Sequence, residues 1–315
     1  MAEKATRDGF GEGLLELGKT HPHVVALSGD LEDSARAIGF KKAYPDRFFS
    51  VGIAEQDMIG TAAGLALAGK VPFACSFSQF VTGKTLEQLR MAVCYQKLNV
   101  KIAGSHGGLS VGADGATAEA LEELGHMRTL PHMTVIAPAD ALEARKATIA
   151  CADYPGPVFL RLGRAPVPSV TKESDAYRIG QAVVLRPGDD VTIIGCGVMV
   201  SHALQAAELL AKEEIQARVI NMHTIKPVDT ATLIAAAKET GAIVTAEEHT
   251  VLGGLGGTVA EVLVQHQPVP MRFVGVNDRF GTSGDPAELY KHFHLMPEDI
   301  VRAVKDVLRL KQSAI

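Results

Sequence analysis

The sequence has no apolar run approaching the ~18–20 residues that cross a bilayer, so no membrane-spanning helix is expected. Its first residues, Met1-Ala2-Glu3-Lys4-Ala5-Thr6-Arg7, lack the apolar core of a signal peptide, and cytoplasm is the expected location. There is no run of lysine and arginine, and the net charge is −5, which argues against nucleic-acid binding. The four cysteines (Cys75, Cys94, Cys151 and Cys196) form no CxxC pair and stand far apart. They fit buried apolar positions in a reducing compartment better than disulfides or a zinc site. Internal repeats and low-complexity tracts are absent. What is present is an ordinary globular balance, 47% hydrophobic and 21% charged, over 315 residues. That length predicts two domains.

Short β-rich runs alternate with helical ones throughout, the pattern of parallel α/β sheets. Strands are expected at Val24–Leu27, Phe48–Ile53, Val71–Ser76, Val100–Ala103, Met133–Ala137 and Val158–Leu162. Thr6–Thr20, Glu55–Ala68, Gly83–Tyr95 and Ala139–Ala152 read as the helices between them. The Pro-punctuated stretch at Pro166 and Pro168, followed by the polar Thr171–Asp175, marks a boundary. The expected division is a first domain over 1–168, a linker over 169–178 and a second domain over 179–315. Each domain is read as a mainly parallel sheet flanked by helices. In the second, Val191–Ile194, Ala217–Asn221, Ile243–Glu247 and Met271–Val274 read as strands. Gly253-Gly254-Leu255-Gly256-Gly257 lacks the GxGxxG order and reads as a tight strand-to-helix turn.

Chemistry-bearing residues fall repeatedly where a strand ends. Asp30 follows the first strand, Glu55 the second, Ser76-Phe77 the third and His106 the fourth; Arg164 follows the last strand of the first half. In open α/β sheets ligands bind outside the carboxyl ends of the strands, so these five positions define one expected site. Glu55 is the most informative of them. Phe49, Val51 and Ile53 read as the last inward side chains of a strand, and a small-residue helix with Gly60, Ala62, Ala63, Gly64 and Ala66 follows. An ordinary first-turn glutamate, favoured by the helix dipole, is the competing reading.

Val51-Gly52-Ile53-Ala54-Glu55-Gln56 resembles the segment of the transketolase superfamily that supplies a carboxylate to the aminopyrimidine ring of thiamine diphosphate. Ser28-Gly29-Asp30-Leu31 and Cys75-Ser76-Phe77-Ser78-Gln79-Phe80 resemble family segments too, as do His106–Thr117 and Phe159–Arg164, all in the family's order. The resemblance runs through the whole chain but covers only the later two domains of a three-domain enzyme, the pyrimidine-binding and C-terminal ones. It implies that Glu55 bonds the pyrimidine ring nitrogen, that Phe77 and Phe80 bracket its face, and that Asp30 lies near the thiazolium. It likewise implies that Arg7, Ser34, His106 and Arg164 bind the terminal group of a sugar phosphate, with Asp114 accepting a sugar hydroxyl. His106 and Glu55 would be the catalytic pair. Arg161 competes with Arg164 for its role. Two departures stand out. Relatives carry an aromatic where this chain has Gly83, and a histidine where it has Ala118. His126, His132, His223 and His249 are candidate substitutes for the latter.

The family's diphosphate- and Mg²⁺-binding segment, Gly-Asp-Gly followed by an Asn, is missing. The resemblance therefore implies a split transketolase, in which a second chain carries the diphosphate domain and most of the Mg²⁺ ligands and the two assemble as α₂β₂. The expected activity is transfer of a two-carbon ketol unit between a ketose phosphate and an aldose phosphate. Deoxyxylulose-phosphate synthase and the β subunit of a 2-oxo-acid dehydrogenase E1 are rival enzymes. A non-catalytic assembly subunit is the reading from another class.

Overall fold

The computed structural model describes residues 3–313. Strands β1 (Glu3–Lys4), β2 (Val24–Ser28), β3 (Phe48–Ser50), β4 (Val71–Phe77), β5 (Lys101–Ser105), β6 (Thr134–Ile136), β7 (Val158–Arg161) and β8 (Val167–Pro168) come first. Strands β9 (Val183–Arg186), β10 (Val191–Gly195), β11 (Ala217–Asn221), β12 (Thr224–Lys226), β13 (Ile243–Thr250) and β14 (Met271–Val276) follow. They build a seven-stranded sheet in the order β12-β6-β7-β5-β4-β2-β3 and a five-stranded sheet in the order β14-β13-β10-β11-β9; β1 and β8 form a small ribbon. Pairing is parallel throughout both larger sheets except where β12 meets β6 and β9 meets β11.

Parallel strands covered by helices on both faces need consecutive apolar side chains. Val24-Val25-Ala26-Leu27 supplies them in β2 and Val191-Thr192-Ile193-Ile194 in β10, and every residue of both strands is buried. The chain steps outward from β2 to β3, then returns to the other side of β2 as β4. That reversal opens a crevice beyond the carboxyl ends of β2 and β4, the place where doubly wound sheets bind ligands.

Two expectations need correction. β3 ends at Ser50, and Gly52 turns the chain at φ 73°, so Phe49 and Ile53 do not point inward; they are 37% and 78% exposed. The cause is position: β3 is the edge strand, with no neighbour beyond it. The helix expected at Gly83–Tyr95 is instead three pieces, Ser78–Gly83, Leu86–Gln88 and a π-helical Leu89–Cys94. Gly83 is a poor helix former, and the Thr82 and Thr85 hydroxyls bond back to the carbonyls of Ser78 and Val81. Strand β12 comes from the second half of the chain yet extends the sheet of the first.

A buried ion cluster also joins the two sheets. Arg161, at the end of β7, donates from Nε to Glu123 Oε1 (2.6 Å) and from NH2 to the Glu248 carbonyl (2.6 Å). Glu248 Oε1 accepts from the Ser110 amide (2.8 Å) and the Tyr290 hydroxyl (2.9 Å). The second half of the chain thereby holds the loop after β5, which carries His106 and Asp114.

Candidate active site

Glu55 is the first residue of the helix Glu55–Leu67 and is only 3% exposed. A carboxylate at a helix N-terminus is stabilised by the dipole, yet burial demands specific partners as well. Oε1 accepts a hydrogen bond from Ser76 Oγ at the end of β4 (3.2 Å). Oε2 lies 3.5 Å from the exposed ammonium of Lys84, which also sits 4.4 Å from the centroid of the Phe80 ring. A cleft of about 560 Å³, lined by Ile53, Ala54, Glu55, Gln56, Asp57 and Lys84, opens at this point. The turn after β2 faces the same carboxylate: a Cβ on Gly29 would stand 3.7 Å from Glu55 Oε1. Asp30 follows, exposed and at φ 65°.

Phe77 stacks on Phe80 (centroids 5.4 Å apart) and on the imidazole of His106 (3.8 Å). Burial, followed by the charges on Arg7, Arg164 and Arg36, pushes the His106 pKa down to about 3, so the ring is neutral at physiological pH. Its tautomer follows from its neighbours. Arg7 NH1, 3.2 Å from Nε2, can only donate, which leaves the proton on Nδ1, 2.9 Å from Ser105 Oγ. Ser105 in turn donates to the Ser76 carbonyl (3.3 Å). Glu55 and His106 are thus linked through two buried serines at the ends of β4 and β5.

On the far side of His106 lies a cavity of about 570 Å³ whose walls include Arg7, Arg36, Ser110, Arg164 and, from the second half of the chain, Gly284–Pro286. Arg7 NH1 donates to the Ser34 carbonyl (3.0 Å), so Ser34 meets Arg7 through its backbone rather than its hydroxyl. Arg164 NH1 donates to the Val111 carbonyl (2.6 Å) and lies 3.5 Å from Asp114 Oδ2. Among the described residues, the Arg7 guanidinium keeps one buried nitrogen, Nε, without a partner. A guanidinium pair beside a neutral imidazole suits an anionic oxygen group.

Glu55, Phe77, Phe80, His106, Arg7, Ser34, Arg164 and Asp114 therefore form one continuous region, and Asp30 adjoins it. Arg161 does not belong there, being fully committed to Glu123 and Glu248. None of the four candidate histidines lines either cavity. His223 is buried against Tyr177, and His249 accepts from the Gly125 amide. His126 opens on a separate hollow with Arg279 and Phe280, and His132 lines a groove with Arg90 and Tyr95. The glycine-rich turn at 253–257 offers no anion cradle, because the Glu247 carboxylate already accepts the Leu255 and Gly256 amides (2.7 and 2.8 Å). Among the described residues no cluster of His, Cys, Asp and Glu is arranged to hold a metal ion. Sequence reasoning missed Lys84, Ser105 and Arg36; only the placement of Ser105 at a strand end could have marked it.

Comparison with known proteins identifies the family. The profile "Transketolase, pyrimidine binding domain" matches residues 2–169, and "Transketolase, C-terminal domain" matches residues 180–300. A putative transketolase C-terminal section from Methanocaldococcus jannaschii is 41% identical, with 97% of each chain covered. The chain belongs to the transketolase family. A 6-deoxy-6-sulfo-D-fructose transketolase subunit from a Clostridium species is 42% identical over 99% of this chain and 97% of that protein. Among solved structures, one described as a split gene transketolase, inactive β4 tetramer, superposes with a TM-score of 0.92 at 47% identity, covering 98% of this chain and 99% of that one. Human transketolase is 39% identical, but the chain spans only 49% of its length. The transketolase pyrimidine-binding domain implies thiamine diphosphate as the cofactor. The buried Glu55 carboxylate beside Phe80, with one oxygen facing a cleft, is a fitting donor set for an aminopyrimidine.

Proposed function

We propose that this chain is the pyrimidine-binding subunit of a two-chain transketolase, transferring a two-carbon ketol unit from a ketose phosphate to an aldose phosphate. The observation that carries the reading is Glu55: a buried carboxylate held by Ser76, open to a cleft, in a chain that matches a split gene transketolase chain over 98% of its own length and 99% of that one. The domains we assign are 1–168 for pyrimidine binding and 179–315 for the C-terminal domain, with 169–178 between them. A second subunit carrying the diphosphate domain and the Mg²⁺ ligands completes the site, in an α₂β₂ assembly in the cytoplasm.

Thiamine diphosphate supplies the carbanion stabilisation when bound, and the protein orients and tunes it. Glu55 Oε2 would hold the pyrimidine ring nitrogen while Ser76 fixes the carboxylate through Oε1. Phe80, supported by Phe77, would cover the ring face. Asp30 would stand at the thiazolium side. His106 enters as a neutral imidazole whose Nε2 is an acceptor, so it can accept a hydrogen bond from a substrate hydroxyl once Arg7 turns toward an anion. Arg7 and Arg164 would grip the terminal phosphate and Asp114 a sugar hydroxyl. A 2-oxo-acid dehydrogenase E1 subunit has no use for that arginine set, which favours the sugar-phosphate reading.

The test mixes this chain with its diphosphate-domain partner, thiamine diphosphate and Mg²⁺, and follows ketol transfer from xylulose 5-phosphate to ribose 5-phosphate. Activity in the mixture alone supports the proposal. No transfer, with turnover of pyruvate instead, refutes it in favour of the synthase or E1 readings.

A further inference from the structure

A third guanidinium lines the cavity of Arg7 and Arg164. Arg36 lies beyond the turn after β2, and its side chain is half-buried at the cavity wall. Its Nε donates to Asp8 Oδ1 (2.6 Å) and its NH1 to the Asp33 carbonyl (3.3 Å), which fixes the fork. Its NH2 has no hydrogen-bond partner among the described residues. Of the two aspartates on the cavity wall, Asp8 is held by Arg36 itself, and Asp285 caps a helix by accepting from the Ala287 amide (2.9 Å). Asp114 stands beside Arg164 at 3.5 Å.

The backbone is shaped around this placement. Arg36 sits at φ 61°, a conformation that side chains other than glycine adopt only under constraint. It rests on the helix Thr6–Thr20 at Gly11, where a Cβ would meet the Arg36 carbonyl oxygen at 2.7 Å and its Cβ at 2.8 Å. An arginine held at a strained angle over a bare glycine, with its fork oriented from behind, has the features of a residue positioned for a ligand. The charge of Arg36 also reaches the two groups already assigned to the terminal group, lowering the pKa of Arg7 and of His106, in each case behind the larger effect of burial.

We propose that Arg36 is a specificity-determining residue that, with Arg7 and Arg164, selects donors ending in a phosphate dianion over donors with a neutral end. This rests on the sugar-phosphate reading above. It differs from the roles given to Arg7 and Arg164, since it assigns the discrimination of charge to a residue on a different turn.

The experiment uses the reconstituted two-chain complex with thiamine diphosphate and Mg²⁺. Values of kcat/KM are measured for xylulose 5-phosphate and for erythrulose, a ketose with no terminal anion, in wild type, Arg36→Gln and Arg36→Gly. The glycine variant relieves the positive φ, so its Tm should not fall, and a folding defect cannot imitate the effect. Loss of a charge-assisted contact predicts that the preference for the phosphorylated donor drops about 10-fold or more in both variants, through a raised KM for that donor. A preference unchanged within about 2-fold overturns the proposal, as does an equal loss on both donors. If the wild-type complex itself shows no preference for xylulose 5-phosphate, the sugar-phosphate reading fails, and that is visible before any variant is made.

Discussion

Replacing Glu55 by glutamine removes a proton-accepting oxygen and almost nothing else. The amide keeps a carbonyl oxygen where Ser76 Oγ now bonds Oε1 at 3.2 Å, and it keeps the volume of a side chain that is 3% exposed. Lys84 loses its ionic neighbour, but its side chain is more than half exposed, and such pairs contribute at most ~1 kcal/mol. The melting temperature should therefore barely move. Catalysis is another matter, because the position facing the cleft becomes either a second donor or an oxygen that cannot hold a proton. General acid–base groups contribute roughly 10²- to 10⁴-fold, and that is the expected fall in kcat. Exchanging a charged acceptor for a neutral one should also weaken cofactor binding by ~1.5–3 kcal/mol, or about 10- to 150-fold in Kd. The two effects separate if turnover is measured at saturating thiamine diphosphate and affinity by titration calorimetry of the complex. Calorimetry is preferred because the chain has no tryptophan to report binding by fluorescence. A kcat within about threefold of wild type at saturation would refute the assignment of Glu55 and with it the central argument.

Lys84 touches both groups assigned to the pyrimidine, so Lys84→Met should tighten thiamine diphosphate binding by up to about 5-fold, the scale of an exposed ion pair. Weaker binding in the same titration would mean that the lysine holds the cofactor rather than competing with it. Glu119 offers a stability test, since both its carboxylate oxygens are buried without partners among the described residues and burial, then Glu248, raises its pKa to about 7. A carboxyl whose folded pKa is raised stabilises the fold when protonated, and that advantage is lost as pH climbs from its ordinary value of 4.5 through about 7. Glu119→Gln should therefore gain up to ~3 kcal/mol at pH 8 and little at pH 4, read from urea unfolding; an equal change at both pH values would contradict the burial argument.

The strand framework was legible because buried parallel strands declare themselves as apolar runs, as Val24–Leu27 and Val191–Ile194 do. From their ends the location of the candidate site was proposed, since the carboxyl edge of a sheet is set by connectivity alone. What failed was whatever depends on a neighbour that periodicity cannot see. Phe49 and Ile53 alternate like inward residues, but an edge strand has no second side to bury them against. β12 has three residues, below the length at which a pattern exists, and only its pairing with β6 makes it a strand. Arg161 and Arg164 are three residues apart and chemically identical in the sequence. Glu123 and Glu248, 38 and 87 positions from Arg161, decide which of them is structural.

The site carries one further signal that sequence could not give. Of the eight non-glycine residues at positive φ among the described residues, Asp30 and His106 fall just past the ends of β2 and β5, and Arg36 lies beyond the turn after β2. Glycine would take these angles without strain, so a sequence reader expects glycine there and finds aspartate, arginine and histidine instead. Each such residue costs about 1–3 kcal/mol and persists only where the surroundings dictate it. The surroundings are on view for two of them: Gly11 is bare beneath Arg36, and His106 is clamped between Arg7 and Ser105 while stacked on Phe77. Folding stability alone would favour glycine at these angles. Lys97, Glu214 and His294 take such angles away from the crevice, so it is the angle combined with a place on the cavity wall, as at Arg36, that supports the proposed role in ligand binding.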